Sequence, residues 1–254
     1  MTFSLEYLPA TAFAVFLIFS RIGPLVMMLP GIGEASVPMR SRLAFAVMLT
    51  LVLYPVVVGK IPPLPSSLTG LIGASMKEMI IGFSFGAIIK ILSTGIQVAG
   101  NVIAFQAGLS FAMTADPTTG RSDSVFSSFL MMLSTVMIFA MDLHHLIIAA
   151  MYDSYMMFPP GAPFEIAVFS DAALLTVASI FKIGVQLSTP FIVFGLVFFL
   201  GLGILSRLIP QIQVFFIAMP ANIYIGTLLF VLLLSAMMNW YLSYYEASIV
   251  NLMR

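Results

Sequence analysis

The sequence contains no cysteine among its 254 residues. That excludes disulfide scaffolds, cysteine zinc sites, iron–sulfur clusters and thiol catalysis. Charge is nearly as scarce. Ten Lys/Arg and ten Asp/Glu make up 8% of the chain, against about 25% in an ordinary soluble domain. So few charges cannot cover a soluble globule of this size, which excludes a soluble monomer, and the apolar content excludes a disordered chain. Net charge is zero, so no basic face is available for nucleic acid. What the chain has instead is apolar bulk: 61% of residues, with a mean hydropathy of +1.13. The class that remains is an integral membrane protein or a buried subunit of a membrane complex.

The charges punctuate long apolar runs. Residues 7–20, 43–59, 91–115, 124–141, 183–206 and 208–245 hold no Asp, Glu, Lys or Arg. A bilayer core needs about 20 apolar residues per helix. Runs such as Phe191–Leu202 and Ile223–Met238 do not alternate as barrel strands would. The chain is therefore predicted to be all-α, with helices near 8–29, 41–58, 70–93, 95–112, 124–150, 172–205 and 212–246. Met1–Leu8 carries Glu6 and no basic residue, so the first helix is expected to be retained rather than cleaved as a signal. Turn chemistry marks the breaks at Pro30-Gly31, Ile61-Pro62-Pro63-Leu64-Pro65, Asp116-Pro117-Thr118-Thr119-Gly120 and Pro159-Pro160-Gly161. A helix over 172–205 would run about 51 Å, far beyond a hydrocarbon core of about 30 Å. Either Pro190 kinks it, or protein rather than lipid covers much of it. The 151–171 loop holds Asp153, Glu165 and Asp171, while the next loop holds Arg207. The basic residue is expected on the cytoplasmic side and the acidic loop outside.

Candidate chemistry is thin. Asp142-Leu143-His144-His145 is the only histidine cluster, with Asp153 as a further carboxylate. The two histidines are adjacent and expected on different helix faces, so a helix-end polar cap is favoured and no metal is assigned. Gly82-Phe83-Ser84-Phe85-Gly86 matches the letters of a hydrolase nucleophile elbow, but within a helical run rather than a strand-to-helix turn. Its small residues are expected to admit close helix packing. Glu78 is the one fair candidate for a transporter carboxylate, with Lys77 snorkelling and Glu78 pairing with lysines at neighbouring turns. Amides recur at Gln97, Asn101, Gln106, Gln186, Gln211, Gln213, Asn222 and Asn239. They either bind neighbouring helices or line a wet path. Nineteen Met and 23 Phe suit irregular protein–protein packing better than a cofactor site, and no cofactor is expected.

Four segments in order carry a resemblance. They are Arg21-Ile22-Gly23-Pro24-Leu25 with Leu29-Pro30-Gly31-Ile32-Gly33 and Val37-Pro38-Met39-Arg40-Ser41-Arg42; Gln106-Ala107-Gly108-Leu109-Ser110-Phe111-Ala112 with Asp116-Pro117; His144-His145 through Asp153-Ser154 to Pro159; and Arg207-Leu208-Ile209-Pro210-Gln211 with Met219-Pro220. Together they resemble the FliR/SctT family of type III secretion export-gate proteins, although Ala218 stands where many relatives have Gly. The resemblance implies an export-gate subunit of the bacterial inner membrane at the flagellar basal body. It would have long kinked helices, a FliP-like part over about 1–171 and a FliQ-like helical hairpin over about 172–254. It implies FliP, FliQ and FlhB homologues as partners, membrane lipid around them, unfolded flagellar subunits as cargo and no enzymatic activity. A virulence type III homologue and, further off, a small-solute transporter are the alternatives.

Two sites are expected. Arg207, Pro210, Gln211 and Gln213 would form a cytoplasmic hairpin turn, with Pro210 enforcing the bend. Residues 106–122 change character from apolar to small and polar, which is tolerated at membrane depth only inside protein or water. Gln106, Gly108, Leu109, Phe111, Met113, Asp116, Pro117 and Gly120 are expected to form a plug in a central channel. Phe105, Leu109, Phe111 and Met113 would give it apolar body, and Asp116-Pro117 with Gly120 a turn and hinge. The family resemblance, in which relatives place a gating loop at the matching segment, points the same way.

Overall fold

The structure is a computed structural model describing residues 8–109, 114–115, 122–162, 166–209 and 214–253. The fold is all-α. Its helices are α1 (Leu8–Met28), α2 (Met39–Val57), α3 (Leu68–Gln106), α4 (Val125–Ala140), α5 (Leu143–Met157), α6 (Ile166–Leu208) and α7 (Val214–Leu252). A short 3₁₀ turn, Val58–Lys60, follows α2. The one extended feature described is a two-residue antiparallel ladder of β1 (Thr114–Ala115) with β2 (Ser122–Asp123). Among the described residues, five helices are long and apolar enough to cross a membrane, or six if α4 and α5 together form one broken span.

Three stretches of the chain differ from the sequence reading. The expected helices 70–93 and 95–112 are one 39-residue α3 that runs through Ser93-Thr94-Gly95. Glycine there serves close approach rather than a break, because a Cβ at Gly95 would lie 3.0 Å from Ile183 and 3.2 Å from Ile180 of α6. The expected helix 124–150 is broken at Met141-Asp142, where Asp142 adopts the left-handed conformation at φ 59°. The sixth helix is longer than expected, 43 residues continuing through Pro190. At about 65 Å it exceeds any hydrocarbon core, and only 11% of its most apolar stretch is buried within the chain.

The chain forms two compact units. The first comprises 1–92, 142–176 and 246–254; the second comprises 93–141 and 177–245. In the first, α1 packs on α2 and α2 also meets α5. The approach of α1 to α3 is set by Gly82 and Gly86. A Cβ at Gly82 would fall on the Arg21 carbonyl oxygen, and one at Gly86 would lie 3.0 Å from Leu25 Cα. The hydrolase-like letters therefore sit inside a continuous helix, and their small residues admit a neighbouring backbone as expected. Phe85, Phe158 and Phe169 close this core, with ring centroids 4.6 to 5.9 Å apart. In the second unit Phe230 of α7 stacks on Phe126 of α4 at 4.4 Å and faces Phe191 of α6.

Candidate functional site

The end of α3 is built with unusual care. Gly108 is left-handed at φ 73°. The Leu109 amide donates to the Ala104 carbonyl at 2.9 Å, and the Gly108 amide to the Phe105 carbonyl at 3.2 Å. This 6→1 and 5→2 pair is a Schellman stop, which needs a residue tolerant of positive φ at that position. The stop leaves the Gln106 carbonyl without a helical partner. Asn222, from α7, fills the gap: its Nδ2 donates to that carbonyl at 3.1 Å. Asn222 is buried, at 4% exposure.

Three glycines make room for this contact. A Cβ at Gly108 would lie 2.9 Å from Asn222 Nδ2, one at Gly226 would lie 2.7 Å from the Ala107 Cβ, and one at Gly195 would overlap the Gln106 side-chain oxygen. The start of the expected plug is thus seated between α6 and α7, with Ala107 fully buried and Gln106, Gly108 and Leu109 half-buried. Phe105, one residue earlier, is exposed. Phe111, Met113, Asp116, Pro117 and Gly120 lie outside the described residues.

The far end of the same loop is fixed to the same helix. Ser124 caps α4, accepting the Ser127 amide at 3.1 Å, as an N-terminal serine does when its hydroxyl meets an orphan amide. Its own amide donates to Asn101 Oδ1 at 3.3 Å, and its hydroxyl lies 3.0 Å from Asn101 Oδ1 and 3.3 Å from the Gly100 carbonyl oxygen. Gly100 has no side chain because Ser127 Cα would lie 2.4 Å from its Cβ. Of the amides singled out in the sequence, the side chains of Asn101 and Asn222 therefore bind neighbouring elements here, while Gln106 takes part through its backbone carbonyl. The β1–β2 ladder joins the two arms between these ends.

The second expected site is described only in part. Arg207 is exposed in the last turn of α6, and the helix ends when the Ile209 amide bonds to the Leu205 carbonyl at 3.0 Å. Pro210, Gln211 and Gln213 lie outside the described residues.

A third arrangement was not foreseen. Arg21, in the middle of α1, is fully buried, and Glu78 is 1% exposed. Arg21 Nε donates to Glu78 Oε2 at 2.6 Å. Its other nitrogens donate to the Ser154 and Phe158 carbonyls, both at 2.8 Å, and its guanidinium lies 4.1 Å from the Tyr155 ring centroid. The cation thus closes the carboxyl end of α5, where the helix dipole favours positive charge. Two expectations are corrected. Glu78 pairs with Arg21 of α1 rather than with a lysine one turn away, so it is not the uncommitted carboxylate a transporter would want. Lys77 binds the Ala162 carbonyl rather than snorkelling. A lone cation inside an apolar helix demands a buried partner, and that rule applied to Arg21 was the available signal.

The histidine cluster also departs from expectation. The His144 and His145 rings lie 4.1 Å apart. The potential ligand atoms of Asp142, His144 and His145 fall within 4.8 Å of one another. The rings meet although the two residues are adjacent in sequence. His145 and Asp142 are exposed and 3.7 Å apart, the geometry of a solvated pair at a helix start.

Comparison with known proteins agrees with the resemblance read from the segments. The family described as "Bacterial export proteins, family 1" matches residues 12–248. The flagellar biosynthetic protein FliR of Caulobacter vibrioides is 41% identical over 235 residues, 91% of this chain and 94% of that protein. FliR of Escherichia coli K12 is 29% identical over 208 residues, 81% and 78% of the two chains. FliR of Bacillus subtilis is 27% identical over 228 residues, 87% and 86%.

Proposed function

The chain belongs to the family of bacterial export proteins, family 1, and on that premise we propose that it is a core, non-enzymatic subunit of the flagellar type III export gate. With FliP and FliQ homologues it forms the channel through which unfolded flagellar subunits leave the cell, with an FlhB homologue on the cytoplasmic side. The observation that carries the reading is the likeness to FliR along nearly the whole of both chains. Composition supports it. The 43-residue α6, exposed along most of its apolar length, is too long for lipid alone, and partner chains account for the excess.

Within that gate, residues 106–122 act as the channel plug. The support is the seating of the segment's start by Asn222, Gly195 and Gly226, and the tie of its end to α3 through Ser124 and Asn101. A segment pinned at both ends cannot drift. Residues 207–213 face the cytoplasm as the tip of a FliQ-like hairpin over about 172–254, and about 1–171 form the FliP-like part. The flagellar branch is favoured over the virulence branch because the named relatives are flagellar.

Co-expression with FliP- and FliQ-like chains, mild detergent extraction and native mass measurement test the assignment. A stable hetero-oligomer is expected, together with loss of flagellar subunit secretion when the gene is deleted. A homogeneous particle of this chain alone that binds a small solute would favour the transporter instead.

A further inference from the structure

The carboxyl end of α5 is short of donors by sequence. Pro159 and Pro160 follow it and carry no amide, so the carbonyls of Tyr155 and Met156 lose the partners that a continuing helix would give them. The Ala162 amide, which in a helix would reach back to the Phe158 carbonyl, donates instead to the Pro159 carbonyl at 3.1 Å. That bond closes a turn with Pro160 at its second position and Gly161, at φ 95°, at its third, the type II arrangement. The Phe158 carbonyl is left for a donor from elsewhere.

Cations from three other elements supply what is missing. Arg21 of α1 donates from Nη1 to the Ser154 carbonyl and from Nη2 to the Phe158 carbonyl, both at 2.8 Å. Lys77 of α3 donates to the Ala162 carbonyl. Lys60, in the 3₁₀ turn after α2, donates to the Met156 thioether and lies 4.9 Å from the Tyr152 ring centroid. The carbonyls so bound belong to every fourth residue, 154, 158 and 162. They lie at the negative end of the α5 dipole and just beyond it, where positive charge is favoured. Three of the ten basic residues in the chain thus meet at one helix end.

We propose that Arg21, Lys60 and Lys77 form a cationic cradle, positioning residues that together seat the end of α5 and the turn after it. Arg21 does what lysine cannot. Its planar fork serves Glu78 and two carbonyls at once, whereas an ammonium is a point charge without that geometry. Lys77 acts through its charge and donor alone, so arginine can stand in for it. The cradle does not rest on the channel reading.

Hydrogen exchange on the assembled complex tests it at the Phe158 and Ala162 amides, which hold the helix end and the turn. Arg21→Lys and Lys77→Met should each speed their exchange about tenfold, the loss of one hydrogen bond, with the amides of α1 and α3 unchanged. Lys77→Arg should keep the protection of the parent. Lys60→Met should speed exchange at Phe158 about two- to fivefold, the weight of one exposed cation–π contact. If Arg21→Lys does not assemble, the lysine variants carry the test. Unchanged protection at Phe158 and Ala162 in Lys77→Met, or an equal loss in Lys77→Arg, overturns the cradle. So does faster exchange spread evenly along α1 and α3, which marks general loosening.

Discussion

The buried polar side chains of the first compact unit include a full ion pair, Arg21 with Glu78; those of the second, among the described residues, are serines, Asn222 and the tyrosines Tyr241 and Tyr245, with no ion pair among them. Both units must satisfy polar groups among apolar helices, but the two solutions differ in what it costs to undo them. Removing one partner of a buried ion pair leaves an uncompensated charge, at about 3–5 kcal/mol. A neutral hydrogen bond nets about 1 kcal/mol. The first unit is therefore a frame in which α1, α3 and the end of α5 share one guanidinium. The second fixes the ends of the α3–α4 loop through neutral hydrogen bonds.

The largest expected effect tests the frame. Glu78→Gln should destabilise the chain by about 3–5 kcal/mol, read as a fall in the apparent melting temperature of the purified complex. Arg21→Met combined with Glu78→Leu should recover most of the loss, since a buried pair can be exchanged for apolar residues at little net cost. A double variant no better than the single would mean the pair does more than neutralise charge. Next, Gly82→Ala should cost about 1–3 kcal/mol, because its Cβ would fall on the Arg21 carbonyl. Gly59→Ala is the matched control with nothing within 4 Å, and equal effects at both would break the close-approach argument.

In the second unit Ser124→Ala should cost about 0.5–2 kcal/mol by uncapping α4, with faster amide exchange confined to its first turn. Smallest is Asp142→Gly, which relieves a left-handed φ but loosens the unfolded chain. Its net effect should stay within about 0.5 kcal/mol, whereas Asp142→Val should cost about 1 kcal/mol or more. Thermal unfolding of the purified complex ranks the pair, and equal stability would remove the strain argument at the α4–α5 bend.

How much of this was legible in the sequence depends on how far apart the partners lie. Helices α1 and α2 were readable because each is one apolar run between turn residues. The unity of α3 was not, since Ser93-Thr94-Gly95 reads locally as a break and serves instead as a landing surface for α6. The α4–α5 bend was missed because apolar residues flank Asp142 on both sides. Gln106 and Asn222 were each visible as amides, but their pairing spans 116 residues. Arg21 and Glu78 span 57. Local spacing says that such groups need partners; only the packing of helices says which.

The central claim is that the loop between α3 and α4 seals a channel. Ion flux through the assembled complex with residues 110–119 deleted tests it most directly, with assembly confirmed by native mass. The account predicts a leak well above that of the intact complex, with mass and composition unchanged. A deleted complex that assembles normally and stays as tight as the intact one would contradict it.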